Sequence, residues 1–303
     1  MSGNKVSTIL VTGAGGVLGS TLADSLSEAG VQVYALSSNR EKLKGLDKNI
    51  ICFENCDIDK IPWGNMDTVI HSAFTRSNDG YELARSLDFT REVFYKACKN
   101  GVKSIINISS RSVYGQNPAV PWKETDAAAP DSTYSLAKYS SELLAEDINT
   151  LSGGGTRAIS LRLAGLIGIG YGQRVVNQFV INVLNSKPIR IFGGNQMFSF
   201  LDVRDAALGI KALLQLDTLS RRRLYNLGSR KCISIIDIAE AVSRVAGCYT
   251  KNQVKIEIEE KNITSNGYMD SSLFYSDTKW MPRYKITDTI EQLFMYNQSI
   301  MQI

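Results

Sequence analysis

The chain has 303 residues, 44% of them hydrophobic, with 34 basic against 30 acidic side chains and a net charge of +4. That charge is spread without a basic block, which argues against a nucleic-acid partner, and no apolar run approaches the ~20 residues of a membrane span. Five scattered cysteines (Cys52, Cys56, Cys98, Cys232, Cys248) form no C-x-x-C pair and fit a reduced, cytoplasmic setting.

Residues 1–7 are too few and too polar for a signal peptide. The apolar run Val6, Ile9, Leu10, Val11 reads as a strand, and the amphipathic stretch from Leu18 to Ala29 as a helix. Between them lies Gly13-x-x-Gly16-x-x-Gly19. Glycines at a strand-to-helix turn let the backbone approach a pyrophosphate, which the N–H groups and positive dipole of the helix end then hold. Gly13, Gly16, Val17, Leu18 and Gly19 are therefore candidate dinucleotide-binding residues. The longer first gap is a variant of G-x-G-x-x-G found in short-chain dehydrogenases.

Val31 to Leu36 reads as the second strand, whose end faces the adenosine ribose in a dinucleotide fold. An acid there would repel a phosphate, but this chain has Ser37, Ser38, Asn39 and Arg40. Ser37, Ser38 and Arg40 suit the 2′-phosphate of NADP better than the bare ribose of NAD. Ile50 to Phe53 is a third strand and Asp67 to Ala73 a fourth, apolar as in a sheet buried on both faces. The single histidine, His71, lies in that run and reads as a packing residue. With one histidine, Ser-His-Asp catalysis and histidine-rich metal sites drop out, and no metal is expected.

A helix is expected over 81–100, a strand over 102–109, a loop over 118–130, which holds three of the six prolines, and a helix over 132–149. Gly153-Gly154-Gly155 reads as a turn before the strand Arg157 to Leu163. The later segments are less regular: helices over 175–185, 202–216 and 234–246, and an edge strand over 254–259. Arg221-Arg222-Arg223 reads as a solvated loop. Strands alternating with helices imply a doubly wound parallel α/β sheet. Residues 1–165 form the dinucleotide-binding domain and 166–303 a smaller, partly interleaved substrate lobe, with some segments returning to the first domain.

Tyr134 and Lys138 stand at i and i+4 on one helical face. A free phenol has a pKa near ~10; a neighbouring lysine and a cationic nicotinamide would lower it, letting Tyr134 exchange a proton with a substrate oxygen. Ser110 closes the preceding strand at the carboxyl edge, where its hydroxyl can stabilise charge on the same oxygen.

TGAGGVLG, Asp57-Ile58, VIHSA, SSRSVYG (109–115) and YSLAK (134–138) carry a resemblance, together with FLDVRD (200–205), YNLG (225–228) and WMP (280–282). In these motifs, over almost its whole length, the chain resembles the extended short-chain dehydrogenase/reductase family of NAD(P)-dependent sugar epimerases, dehydratases and reductases. The resemblance implies a Rossmann fold and a catalytic set of Ser110, Tyr134 and Lys138. By the same resemblance Tyr134 and Lys138 also touch the cofactor, Asp57 and Ile58 contact the adenine, and Ala73 lines the cofactor channel. The helices 81–100 and 132–149 would pair two copies into a homodimer.

Departures from the family pattern narrow the chemistry. Arg111 and Ser112 stand where dehydratases carry Asp-Glu, which argues against dehydration, and Ser86 replaces a frequent asparagine. Gly165 and Phe198 stand where nucleotide-sugar members place an asparagine and an arginine. A second pyrophosphate arginine is missing before Ser276-Asp277. A diphosphate grip would have to be rebuilt from Arg174 or Arg190, and Arg111, Ser112, Arg174 and Arg190 are the candidate substrate-binding residues. The leading expectation is hydride transfer between a nicotinamide cofactor, NADP before NAD, and a keto or hydroxy group of a sugar, with or without a linked nucleotide. A redox-neutral 4-epimerase is the alternative. A non-catalytic dinucleotide-binding regulator is a third reading, against which the intact Ser110, Tyr134 and Lys138 argue.

Overall fold

The computed structural model describes residues 8–117, 119–172, 174–251, 253–261 and 267–301. In chain order the first elements are β1 (Thr8–Thr12), α1 (Val17–Ser27), β2 (Gln32–Ser37), β3 (Ile51–Glu54), β4 (Thr68–His71), α2 (Gly80–Lys99), β5 (Ser104–Ser110), α3 (Thr133–Leu151) and β6 (Arg157–Leu163). The later ones are β7 (Gly165–Ile167), α4 (Val175–Leu184), β8 (Ile189–Phe192), β9 (Met197–Phe198), β10 (Phe200–Asp202), α5 (Val203–Gln215) and β11 (Leu224–Leu227). The chain ends with β12 (Ile233–Ser234), α6 (Ile235–Ala246), β13 (Ile256–Glu259), α7 (Ser272–Thr278) and α8 (Ile286–Met301).

Seven strands form one sheet in the order β11-β6-β5-β4-β1-β2-β3, every neighbouring pair parallel. β1, β4 and β5 are buried along most of their length because helices cover both faces, so the alternation of buried and exposed positions is lost. The winding reverses between β1 and β4, and the crevice beyond their carboxyl ends is where such sheets take ligands. β11 comes from late in the chain yet lies beside β6, Asn226 opposite Arg162. α5 buries Ile210 and Leu213 in the core that holds Leu18 and Leu22 of α1, and Lys211 Nζ donates to the Ser25 carbonyl at 3.1 Å. The second half of the chain therefore contributes to the large sheet and to one of its helical layers.

The remaining strands pair in twos, β7 with β10, β8 with β13 and antiparallel β9 with β12. α4, α6 and α8 share a separate apolar core, with Phe179, Val180, Val242, Leu293 and Phe294 buried together. Gly153 and Gly154 take positive φ in a turn before β6.

In the Arg221–Arg223 run, Arg222 and Arg223 are exposed as a solvated loop would have them, but Arg221 is not. Arg221 is only 1% exposed. Its guanidinium donates to the carbonyls of Leu214 and Leu216 and to Ser104 Oγ, satisfying carbonyls that α5 leaves open at its C-terminus. Arg222 pairs with Asp277 and Arg223 with Glu146.

Candidate active site

The glycine turn is shaped by contacts that no side chain would tolerate. Gly13 has φ +69°, and a Cβ there would lie 2.6 Å from the Ala73 nitrogen. A Cβ at Gly19 would lie 2.2 Å from the Gly13 carbonyl oxygen, so the first turn of α1 presses directly on the loop. α1 opens at Gly16 with no side-chain cap and no acid in its first turn, which leaves first-turn N–H groups for a ligand anion. This cradle fits the pyrophosphate of a dinucleotide.

From the cradle a groove of about 690 Å³ runs over the ends of β2 and β4, lined by Ser37, Ser38, Asn39, Lys42, Asn55, Cys56 and Ala73 among others. A narrower chamber of about 200 Å³ runs the other way, lined by Val17, Leu18, Gly19, Ser110, Tyr134, Lys138, Tyr171 and Arg174 among others. The two share Gly13, Gly16, Ser72 and Phe74 and so form one channel. A further cavity of about 990 Å³, near Arg230, Tyr268 and Lys279, shares no lining residue with it.

Of the cofactor candidates, Gly13, Gly16, Val17, Leu18, Gly19, Ser37, Ser38, Ala73, Tyr134 and Lys138 line this channel. Arg40, Asp57 and Ile58 do not. Asn39 caps the turn that follows β2 by accepting from the Glu41 N–H, and that turn brings Lys42, not Arg40, to the groove. Asp57 pairs with Lys60 at 2.7 Å and Ile58 is buried; the residues directly before them, Asn55 and Cys56, line the groove. Arg190 is separated from the site as well, because on β8 its guanidinium pairs with Glu257 at 3.1 Å. Arg174 is in the chamber wall.

Ser132 caps α3 through the Ser135 N–H, with Ser135 Oγ bonding back to the Ser132 N–H. This fixes the helix start one residue before Tyr134. Ser110 Oγ accepts from the Ser112 N–H at 3.1 Å and the Ser112 hydroxyl at 3.0 Å. Ser110 in turn is among the groups that favour the phenolate form of Tyr134. Ser112 thus aims Ser110.

The expectation that Lys138 lowers the Tyr134 pKa does not hold in the protein alone. Burial dominates and pushes the phenol up, and the charges that oppose it are those of Arg76 and Arg174. Lys138 is turned to other partners: Nζ donates to the Ile108 carbonyl at 2.8 Å and lies 3.9 Å from the Phe74 ring centroid. Desolvation pushes this lysine down to about 7, partly offset by Glu142.

Glu142, one turn beyond Lys138, accepts from Ser109 Oγ at 2.5 Å and from Arg162 Nε and Nη2 at 3.0 and 2.7 Å. Arg162 also stacks over the Tyr114 ring at 4.6 Å. This buried network ties α3 to the ends of β5 and β6, where Ser110 and Leu163 face the chamber. His71 is packed as expected. Thr90 Oγ1 donates to the Ser86 carbonyl, so it accepts from Nε2–H of His71, and Nδ1 accepts from the Thr12 hydroxyl. Burial pushes the imidazole down to about 3.

Sequence reasoning missed Lys42, Tyr171 and Glu142. Only Glu142 left a signal, as the third member of the stripe Tyr134, Lys138, Glu142 at helical spacing.

The model of the NAD dependent epimerase/dehydratase family matches residues 9–228, and the chain belongs to that family. It is an NAD(P)-dependent enzyme of the extended short-chain dehydrogenase type. It is 27% identical over 270 residues to dTDP-4-dehydro-6-deoxy-D-allose reductase of a Streptomyces species, covering 79% of this chain and 81% of that protein. It is 26% identical over 264 residues to dTDP-glucose 4,6-dehydratase of Streptomyces griseus, covering 79% and 78%. Its fold is similar to that of UDP-N-acetylglucosamine 4-epimerase from Bacillus cereus, with a TM-score of 0.82, 20% identity and 96% of each chain covered.

Proposed function

We propose that this protein interconverts a hydroxyl and a keto group on a nucleotide-linked sugar, in the net reducing direction and with NADP(H) as cofactor. The observation that carries the reading is the convergence of Ser110, Tyr134 and Lys138 on one chamber continuous with the glycine cradle. The dinucleotide, when bound, supplies or accepts the hydride. Tyr134 exchanges the proton with the sugar oxygen, Ser110 donates a hydrogen bond to that oxygen, and Lys138 at the chamber floor holds the adjoining ribose.

Several features support the finer points. No carboxylate closes β2, and Ser37, Ser38 and Lys42 line the adenosine end of the groove, which favours a 2′-phosphate. Arg111 and Ser112 supply no acid–base pair for dehydration. Residues 166–303 supply Leu166, Tyr171 and Arg174 to the chamber, consistent with a substrate lobe. Tyr95 of α2 and Leu136 and Leu143 of α3 are exposed apolar side chains, which supports pairing of two copies through those helices. The described cysteines are all free, and among the described residues no helix is long and apolar enough to cross a membrane; a cytoplasmic location is our reading.

The test is to purify the protein without added cofactor, denature it and identify any released dinucleotide by mass, then compare NADPH with NADH in melts of the stripped protein. Ligand at ~100 times its dissociation constant adds ~2.7 kcal/mol to stability. A protein that releases nothing and is stabilised more by NADPH fits a net reductase. Retained dinucleotide would instead favour the redox-neutral 4-epimerase, which regenerates its cofactor in each cycle. If neither dinucleotide is retained or stabilises the fold, the proposal fails.

A further inference from the structure

Phe74 stands where the two halves of the channel meet. Among the described residues the groove and the chamber share Gly13, Gly16, Ser72 and Phe74, of which Phe74 alone is bulky. Its backbone is pinned by its neighbours. Ser72 bonds the Thr12 carbonyl through its N–H at 3.2 Å and its hydroxyl at 2.7 Å. The Thr75 N–H donates to Ser86 Oγ at 3.2 Å, and Gly13 presses on Ala73 so closely that no side chain fits between them. The ring so placed meets both members of the Tyr–Lys pair. Lys138 Nζ lies 3.9 Å from its centroid, and the Tyr134 ring makes a T-shaped contact with it at 6.4 Å.

Lys138 is 5% exposed. Among the described residues its ammonium has no ion pair, since Glu142 is committed to Ser109 and Arg162. What remains is the Ile108 carbonyl at 2.8 Å and the face of Phe74. A buried ammonium recovers the hydration it has lost only through such contacts, and an aromatic face attracts it most strongly when water is excluded. An aliphatic side chain of similar bulk would exclude water as well and offer no such face. We propose that Phe74 is a positioning residue, whose ring face and the Ile108 carbonyl together hold the Lys138 ammonium in its charged form and aim it at the dinucleotide ribose. The aim at the ribose rests on the reading of Lys138 given above; the contact between Phe74 and Nζ does not.

The experiment follows the melting temperature of the full chain against pH, in the native protein and in Phe74→Leu, Phe74→Met, Phe74→Tyr and Lys138→Met. Leucine and methionine keep apolar bulk without a ring face, and tyrosine keeps the face. The other titratable groups near Nζ are Glu142 and Tyr134 on α3 and His71 on β4. Burial drives His71 down to about 3 and Tyr134 up, and Glu142 is held by Arg162, so the window around neutrality belongs to Lys138. Lys138 titrates near 7 when folded and at 10.5 when unfolded, so stability starts to rise with pH at the folded value.

In the native protein and in Phe74→Tyr the rise should start at the same pH. In Phe74→Leu and Phe74→Met it should start about one unit lower, because the charged form has lost its ring face. Lys138→Met should remove the rise altogether. The inference is overturned if the aliphatic variants start to rise at the native pH. It is also overturned if they start higher, which would make the ring only a screen against water. A second measurement titrates NADPH by its nicotinamide fluorescence at neutral pH. Phe74→Leu should weaken binding at least about fivefold, while Phe74→Tyr stays close to native. If Lys138→Met weakens NADPH and Phe74→Leu does not, the positioning role falls. If Lys138→Met binds NADPH as the native protein does, the ribose reading falls instead, and the melts still decide whether Phe74 holds Nζ.

Discussion

Arg162 and Arg174 belong to the same neighbourhood and are handled in opposite ways. Arg162, one residue from the chamber wall at Leu163, is 3% exposed and gives two donors to Glu142 while its face covers Tyr114. Arg174, in the wall itself, has a buried Nε with no partner and two further arginines as electrostatic neighbours. Arg221 follows the first pattern, with four hydrogen bonds to carbonyls and a hydroxyl. Arg162 and Arg174 each keep one buried nitrogen without a partner, Nη1 in Arg162 and Nε in Arg174, so what separates them is the carboxylate: Glu142 neutralises Arg162, and none of the residues lining the chamber does so for Arg174. Stability and activity should therefore separate cleanly between the two groups.

The largest effect is expected from Glu142→Ala, which strands the Arg162 charge in the core. Breaking a buried pair by removing one member costs about 3–5 kcal/mol, so chemical denaturation should show most of the fold's margin gone. Arg221→Ala should cost about 2 kcal/mol by leaving the α5 carbonyls and Ser104 without donors, with hydride transfer unaffected in enzyme that remains folded. Arg174→Gln should do the reverse. Its unfolding free energy should stay within about 0.5 kcal/mol of the native protein while kcat/KM drops at least about tenfold, equal to about 1.4 kcal/mol of transition-state binding. A large loss of stability in that variant would erase the distinction.

The two other buried bases sharpen the contrast through pH. Lys138 titrates near 7 in the folded protein and near 10.5 when unfolded. The unfolded chain binds more protons between those values, so stability should rise as pH climbs from 7 to 10. Lys138→Met should flatten that rise, melt higher at neutral pH and lose turnover, the mark of a charge kept for function. His71 acts on the acid side, held neutral with its pKa pushed from 6.5 to about 3. Its contribution is present above pH 6.5 and lost as the pH falls toward 3. His71→Gln should make the acid limb of a melting-temperature profile shallower over that window.

Much of the channel was legible because its residues obey local rules. Glycines at a strand-to-helix turn, a hydroxyl at a strand end and a Tyr–Lys pair at helical spacing each depend on neighbours in sequence. What escaped depends on tertiary direction. Arg40 and Lys42 are two residues apart in one tight turn, and sequence cannot say which faces the groove; the Asn39 cap decides it. Arg221 looked like part of a charge run because its acceptors are backbone carbonyls, which leave no trace in residue identity. Arg174 comes from a segment far in sequence from Ser110 and Tyr134, and only the fold shows that they share one chamber.

The placement of β11 has a consequence for how the chain can be made and cut. When the polypeptide has emerged only as far as residue 165, six strands of the large sheet exist, and β6 borders open solvent with the donors and acceptors that later engage Leu224–Leu227. Such a bare, mostly apolar border invites pairing with other chains. During synthesis it stays uncovered until β11 arrives, an interval in which a chaperone would shield it or a second nascent chain would add to it. A fragment ended at residue 165 would keep that border permanently and should form oligomers or aggregates rather than a soluble dinucleotide-binding unit.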